Sequence, residues 1–301
     1  MKGECIYCSS ENIVKRGKRK NKYQIIQQYQ CRDCRKTFSD NSIKNKTYDI
    51  KIILDSLNFY NQGYSLKISA DTINKKYKTN ISPQTIANWL RELKDLTTFQ
   101  RIRSKALEYN KPKDMIIKKT FKHNQQPYLY QYHNSKIHFL KFYKNLKNYL
   151  LKIKDNRPNH LFENSKRCSQ VRLDRNYETK IKFNNACKLA DLALKTTKDN
   201  RRRHRIIQDF MLRNDSTTIA AEVPVYLNYN NEIITGHIDF LQLRFNKIHI
   251  LDYKPEAEKE KQAQSQVYLY ARALSEITKI PLTNFVCAYF DENNYFEFSP
   301  L

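Results

Sequence analysis

The chain has 301 residues, 40% of them hydrophobic, so it is long enough for two or three compact units, each with its own core. Its formal net charge is +25, but from residue 215 onward 7 Lys and Arg stand against 12 Asp and Glu, so that part carries −5 and the part before it +30. Coding bias toward lysine would not spare the last third of the chain, so the charge favours a nucleic acid partner.

Membrane and secreted proteins are excluded by two further features of the sequence. No apolar run approaches the roughly 18 residues that a membrane span needs, and nothing at the N-terminus resembles a signal peptide. We therefore expect a cytoplasmic protein that is associated with the nucleoid and has no membrane partner.

The N-terminal segment, residues 1–40, contains two C-x2-C pairs. Cys5 with Cys8 and Cys31 with Cys34 can each turn two thiolates toward one ion. Four thiolates in tetrahedral geometry form a closed structural zinc site, and in so short a segment the metal would hold the fold together. A redox C-x-x-C pair and iron at the same four thiolates are the alternatives.

A basic run at residues 15–20 separates the two cysteine pairs and leads into a strand-like segment at residues 23–30. Lys18, Arg19 and Lys20 are candidates for DNA phosphate contact. With the Tyr-x-Cys-x-x-Cys-x-x-x-Phe pattern that ends at Phe38, the segment resembles the zinc ribbon at the start of many insertion-sequence transposases. That resemblance covers about the first 40 residues and implies DNA binding.

Residues 47–96 are predicted to form a helix-turn-helix DNA-binding domain. Apolar spacing predicts helices at residues 48–60 and 68–77, and Ser82 with Pro83 forms a strong start for a third. The Ser-x-x-Thr-Ile-x-x-Trp pattern of this third helix resembles the recognition helix of the same transposases. A three-helix bundle without a DNA role is the alternative. The candidates for base or phosphate contact are Gln84, Thr85, Asn88 and Arg91.

Residues 97–160 are predicted to form a helical, basic linker region, with one amphipathic helix at residues 139–153. Tyrosines and lysines alternate along this region. They could stack bases and bind phosphates, or they could simply be core and solvated surface. The sequence does not indicate the function of this region.

Residues 161–301 are predicted to form a domain with strands at residues 220–227, 236–243 and 247–253. Asp239 lies in the second strand and Asp252 in the third, with Lys254 two residues on. Gly236 lies three residues before Asp239, which suggests a close backbone approach there. A helix follows, and it presents Gln266 and Tyr270 on one face.

This grouping suits hydrolysis of a phosphodiester. Asp239 and Asp252 would hold Mg²⁺ or Mn²⁺, which supplies the nucleophile and offsets charge on the phosphate. Lys254 would orient or deprotonate the attacking water. His204, in the preceding helix, could add a nitrogen ligand and shift the preference toward Mn²⁺, with His237 as its rival for that role.

Asp-x-Lys alone is not specific, but three elements in order are. Gly-x-x-Asp, an apolar run ending in Asp-x-Lys, and Gln-x-x-x-Tyr in a helix together resemble the PD-(D/E)XK nuclease superfamily, within it the RecB-type domains and CRISPR-adaptation exonucleases. The resemblance implies a mixed sheet flanked by helices and a metal-dependent nuclease. It assigns catalytic or metal-binding roles to six residues, namely His204, Asp239, Asp252, Lys254, Gln266 and Tyr270.

Two other features depart from that superfamily pattern. Glu222 could be an extra acidic ligand, but Pro224 nearby makes it a less secure one. Cys168, Cys187 and Cys287 give only three scattered thiols, so we expect no iron-sulfur cluster.

The sequence as a whole predicts a multidomain α+β protein that ends in an α/β nuclease domain. We expect a DNA-binding, metal-dependent nuclease from a mobile element, a virus or a defence system, with a homo-oligomer possible. Three alternatives stay open: a DNA-binding regulator or transposition accessory protein with an inactive nuclease fold, a three-carboxylate transposase, and an RNA-directed nuclease. The spacing of Asp239 and Asp252 is too short for the second of these.

Overall fold

A computed structural model describes residues 4–20, 25–39, 48–155, 159–173, 177–182, 184–197 and 199–301. Over these residues the fold is α+β, with eight α-helices, a small N-terminal sheet and a large mixed sheet. None of the helices in this described part combines the length and the apolar character that crossing a membrane requires.

The N-terminal sheet has three antiparallel strands, β1 (Ile13–Lys20), β2 (Ile25–Cys31) and β3 (Thr37–Ser39), in that order. The pairing of β1 with β2 is irregular around Gly17, which has a φ of +84° and whose carbonyl accepts a hydrogen bond from Gln27 at 2.7 Å. The basic run at residues 15–20 lies within β1, and residues 21–24 lie outside the described residues.

Three helices follow, α1 (Ile50–Asn61), α2 (Leu66–Tyr77) and α3 (Pro83–Glu92). The prediction for the start of α3 is confirmed, because the Ser82 hydroxyl accepts from the Thr85 backbone N–H at 3.1 Å and Pro83 occupies the first helical position. Asn74 holds the turn between α2 and α3, since its Oδ1 accepts from the Ile81 N–H at 2.7 Å.

The region at residues 97–160 is not only helical, which corrects our prediction. After α4 (Arg103–Tyr109) come β4 (Ile116–His123) and β5 (Gln126–His133), an antiparallel hairpin, and then α5 (Lys144–Asp155). The hairpin joins the large sheet through β5. Aromatic residues of high strand propensity explain it, because Tyr130 and Tyr132 are buried in the main core.

The remaining elements complete the large sheet and its helices. They are β6 (Lys166–Arg167), β7 (Lys180–Ile181), α6 (Asn185–Leu194), α7 (Arg203–Asn214), β8 (Thr218–Tyr229), β9 (Glu232–Arg244), β10 (Lys247–Tyr253), α8 (Ala263–Thr278), β11 (Phe285–Phe290) and β12 (Tyr295–Phe298). The strand order is β4-β5-β8-β9-β10-β11-β12-β7, with β6 paired to β9. The sheet is mixed because β10 runs parallel to β11, with α8 as the crossover between them, and β6 runs parallel to β9.

Helices α1 to α3 share their hydrophobic core with the large sheet. Their buried residues, among them Leu57 and Trp89, belong to one cluster with residues of α6 and α7 and with Phe240, Leu251 and Tyr253 of the sheet. A buried hydrogen bond from Asn61 of α1 to Asn214 of α7 adds to this packing. The predicted domain boundaries near residues 96 and 160 stay predictions. The apolar core nevertheless contains residues from both sides of each boundary.

One buried lysine lies among backbone carbonyl groups. Lys136 is fully buried, and its ammonium donates to three carbonyl oxygens where α7 ends and β8 begins, those of Leu212 at 2.7 Å, Asp215 at 2.5 Å and Thr218 at 2.9 Å. The lysine thereby supplies donors to carbonyl groups that the end of a helix leaves without partners.

Candidate functional site

Three carboxylates meet where the central strands run side by side. The register of β9 with β10 places Asp252 beside Asp239, and the register of β8 with β9 places Glu222 on the other side of Asp239. Asp252 is only 2% exposed, and β10 lies between β9 and β11. Asp252 is therefore not part of a surface ion pair on an edge strand.

Asp239 is held by two groups. Its Oδ2 accepts the backbone N–H of Tyr253 at 3.0 Å and lies 3.2 Å from Nδ1 of His204, which α7 supplies. Burial lowers the pKa of His204, but the carboxylates of Asp239, Asp252 and Glu222 outweigh burial and raise that pKa above its usual value. His204 therefore stands where the sequence placed it, next to Asp239.

Lys254 joins the carboxylates to helix α8. Its Nζ lies 2.8 Å from Oδ2 of Asp252, in an ion pair without hydrogen-bond geometry, and donates to Oε1 of Gln266 at 2.9 Å. The Gln266 amide donates in turn to the hydroxyl of Tyr270 at 2.7 Å. Asp252, Lys254, Gln266 and Tyr270 thus form one contact network, and the charge of Asp239 acts on Asp252 and Lys254.

The carboxylates of this site repel one another. Burial, followed by the charge of Asp239, raises the pKa of Glu222 to about 8. The same two causes raise the pKa of Asp252 to about 6, although Lys254 acts in the opposite direction. Buried carboxylates that repel one another are a suitable environment for a hard divalent cation, since a cation offsets that repulsion.

Glu222 is held in place more firmly than the sequence suggested. Its Oε1 accepts a hydrogen bond from Gln208 at 2.9 Å, and its backbone has a φ of +54° in the middle of β8. A left-handed residue inside a strand is strained by about 1–3 kcal/mol and is typical of functional sites. Alternation of side chains along the strand could have predicted the position of Glu222, but the role of Gln208 has no local signal.

His237 takes part in a buried chain of hydrogen bonds. Its Nε2 lies 3.0 Å from Nδ1 of His123, and Nε2 of His123 lies 3.0 Å from the hydroxyl of Thr235. The His237 ring stacks on Tyr128 at 4.1 Å, and its Nδ1 lies 3.9 Å from Oε2 of Glu222. His237 thus approaches Glu222, whereas His204 approaches Asp239. No sequence pattern indicated a role for His123, which comes from the unexpected hairpin.

Gly236 lies in direct contact with the ring of Tyr270, which confirms the predicted close approach. A Cβ at this position would lie 2.3 Å from Cε1 of Tyr270 and 3.3 Å from Sγ of Cys168. Real Cβ atoms do not come so close to other heavy atoms, so only glycine allows α8 to pack here with its polar side chains toward Asp252.

A second cluster consists of the four N-terminal cysteines. The sulfur atoms of Cys5 and Cys34 are 3.5 Å apart, those of Cys8 and Cys31 are 3.6 Å apart, and all four lie within 4.8 Å of one another. A Zn–S distance of about 2.3 Å with tetrahedral angles requires sulfur separations of about 3.8 Å, so the group could bind a metal such as zinc. Within the described part of the chain, no other group of three or more potential ligands is this compact.

The remaining predicted contact residues lie on exposed surface. Gln84, Asn88 and Arg91 form an exposed stripe along α3, with Asn88 accepting from the other two, and Thr85 is half-buried beside its cap. Lys18 and Arg19 are exposed on β1, where Lys20 also lies. Within the part of the chain that the structure describes, neither set has a hydrogen bond or ion pair to the carboxylates. The three other cysteines, Cys168, Cys187 and Cys287, are buried free thiols, and the expected lack of an iron-sulfur cluster stays a prediction.

No protein-family model matches the chain, and no curated protein or solved structure matches it either. The two resemblances drawn from the sequence therefore stay predictions.

Proposed function

We propose that the protein is a DNA-binding nuclease that hydrolyses phosphodiester bonds with a divalent metal. One observation carries the proposal: Glu222, Asp239 and Asp252 converge beside Lys254 in the middle of a buried sheet. Such an arrangement destabilises the fold by charge repulsion and burial of charge, so it requires an explanation outside folding. A PD-(D/E)XK nuclease fold with its mixed sheet and flanking helices accounts for it.

The donor set fits Mg²⁺ or Mn²⁺. Asp239 and Asp252 would be the main oxygen ligands, Glu222 lies opposite Asp239 in the strand register, and His204 would add nitrogen, which favours Mn²⁺. A cation bound here lowers the pKa of a bound water and offsets charge on the phosphate. The Tyr253 N–H fixes the direction of the Asp239 carboxylate without the ion.

Lys254 and α8 supply the rest of the chemistry. Burial lowers the pKa of Lys254, but Asp252 outweighs it and raises that pKa, so the ammonium is charged at neutral pH. It can orient the attacking water and stabilise negative charge on the phosphate. Gln266 holds the ammonium in place, and Tyr270 holds Gln266.

Targeting is proposed for the basic N-terminal part. The +30 charge of residues 1–214, the lysines and arginines of β1 and the exposed stripe on α3 are all suited to contact with DNA. Arg91→Ala and Gln84→Ala should each weaken duplex binding, whereas Lys152→Ala on α5 serves as an exposed basic control.

The proposal is tested by incubating linear, circular and single-stranded DNA with Mg²⁺ or Mn²⁺. Asp252→Asn and Lys254→Ala should each lower cleavage at least about 100-fold while DNA binding persists. Glu297→Gln is the matched control, since Glu297 forms a 2.5 Å ion pair with Lys182 at the far edge of the same sheet. The preferred DNA form would separate endonuclease from exonuclease action.

Absence of metal-dependent cutting in every condition, with DNA still bound, would contradict the proposal. It would favour instead a DNA-binding regulator or transposition accessory protein that keeps an inactive nuclease fold. Strand-transfer products would favour a transposase, and preferential cutting of RNA would change the substrate class.

A further inference from the structure

Two phenylalanines lie almost fully in solvent. Phe142, which precedes α5, is 81% exposed, and Phe245, in the turn between β9 and β10, is 94% exposed. The hydroxyl of Tyr143 donates to the backbone carbonyl of Asn246, so the chain neighbours of the two phenylalanines are joined directly. The two rings therefore lie next to the residues of one surface hydrogen bond, and neither ring belongs to a hydrophobic core.

The backbone at Phe245 makes its presence harder to explain by folding. Phe245 and Asn246 have φ values of +48° and +55° and form a two-residue hairpin turn, a position that favours asparagine and glycine and disfavours aromatic residues. The turn between β8 and β9 has the same form and uses Asn230 and Asn231, with φ values of +51° and +64°. Neither burial nor turn geometry accounts for a phenylalanine at residue 245.

The surroundings of the two rings are strongly cationic. Lys141, Lys144 and Lys247 are exposed next to them, and residues 139–154 and 240–251 contain no acidic side chain. Docking of this surface on a second copy of itself would bring like charges together, which is unfavourable. A polyanion with flat apolar groups fits both features, since its phosphates pair with the lysines while its bases stack on the rings.

We propose that Phe142 and Phe245, with Lys141, Lys144 and Lys247, form a binding surface for unpaired bases of single-stranded DNA. The surface lies at the start of β10, and Asp252 lies near its end, five residues on. At about 3.3 Å per residue the separation along the strand is about 17 Å. The inference thus extends the proposed function to substrates that carry an unpaired strand, but base binding itself does not require cleavage.

The test measures fluorescence anisotropy of the full-length protein, without added Mg²⁺ or Mn²⁺, with three DNAs of about 20 nucleotides. These are a single strand, an abasic strand of the same length and a blunt duplex. Phe142→Ala/Phe245→Asn should bind the single strand at least about 10-fold more weakly than wild type and bind the other two equally well. Asparagine suits the turn, so the variant should melt no lower than wild type, which separates lost binding from lost folding.

Two further variants sharpen the test. Ile233→Ala removes an apolar side chain that is 41% exposed near the other turn, and it should leave all three affinities unchanged. Lys141→Gln/Lys144→Gln/Lys247→Gln should reduce the slope of log affinity against log salt by about 2 on the single strand, because each phosphate contact contributes about 0.7. The aromatic variant should keep the wild-type slope, since stacking releases no counterions.

Equal single-strand affinity of wild type and the aromatic variant would overturn the inference. So would an equal loss on all three DNAs, which would indicate backbone contact without base stacking, or a loss of self-association by sedimentation in place of a loss of binding. Wild-type protein that cuts nothing but binds bases through these rings would refute the nuclease and leave the surface intact. If the wild-type protein cuts DNA and the aromatic variant cuts and binds every DNA equally well, the nuclease would be supported and the binding surface refuted.

Discussion

Gly236→Ala tests whether the packing of α8 on β9 sets the geometry of the candidate site. The new Cβ would meet Cε1 of Tyr270 at 2.3 Å, and an ordinary contact begins at 3.4 Å, so the ring must retreat by about 1.1 Å. Tyr270 is buried in the main core and has little room to move. Its hydroxyl would also leave the amide of Gln266, which positions Lys254.

The expected size of the effect follows from two opposing contributions. Overpacking of a well-packed core destabilises by about 1–3 kcal/mol. Gly236 does not have a positive φ, so alanine gains about 0.4–1 kcal/mol from the reduced entropy of the unfolded chain. We therefore expect a net loss of about 1–2 kcal/mol in unfolding free energy, and a larger loss of cleavage, because a displacement near 1 Å disturbs catalytic geometry.

The assay is urea unfolding without added Mg²⁺ or Mn²⁺, followed by far-ultraviolet circular dichroism, with Tyr270→Ala as the second arm of a double-mutant cycle. In the Tyr270→Ala background the ring is gone, so Gly236→Ala should be neutral or stabilising there. The reasoning is refuted if Gly236→Ala destabilises both backgrounds equally, since the clash with the ring would then not be the cause.

Three further predictions concern the buried lysine, the carboxylates and the cysteines. Lys136→Met leaves three buried carbonyl groups without a donor and should lower the unfolding free energy by about 3–5 kcal/mol, whereas Lys144→Met at an exposed position should change it by less than about 0.5. The folded-state pKa of about 8 for Glu222 lies above the ordinary 4.5, so without metal the fold loses stability as pH rises through that window. Without added Mg²⁺ or Mn²⁺, Glu222→Gln should therefore be more stable than wild type above pH 8 and similar to it near pH 4.5, and a stability difference that does not vary with pH would contradict this. Cys31→Ser should release the metal of the four-cysteine group in a colorimetric zinc assay, while Cys187→Ser should retain it.

The elements that the sequence predicted well are those with local signals. Ser82 and Pro83 fixed the start of α3 because capping depends on neighbours in the chain. Likewise the apolar runs around Asp239 and Asp252 predicted β9 and β10, and Gln266 and Tyr270 were placed on one face of α8 by helical spacing.

The β4–β5 hairpin could not be predicted in the same way. Its last four residues, 130–133, are all buried, so the alternation that marks a half-exposed strand is missing. The partner strand is rich in lysine and resembles a solvated linker, and Pro127 weakens the strand signal further. The contact between His123 and His237 joins residues 114 positions apart, and no local pattern reports on it.

The core that α1 to α3 share with the large sheet has a consequence for how such a nuclease would choose its cut. Asn61 of α1 donates to Asn214 of α7 at 2.7 Å inside this packing. The position of α3 relative to Asp252 is therefore fixed by the shared core. A target read by α3 would then be cut at one fixed offset and not across a range of positions. For the same reason a foreign recognition helix could not be grafted in its place without rebuilding the interior of the protein.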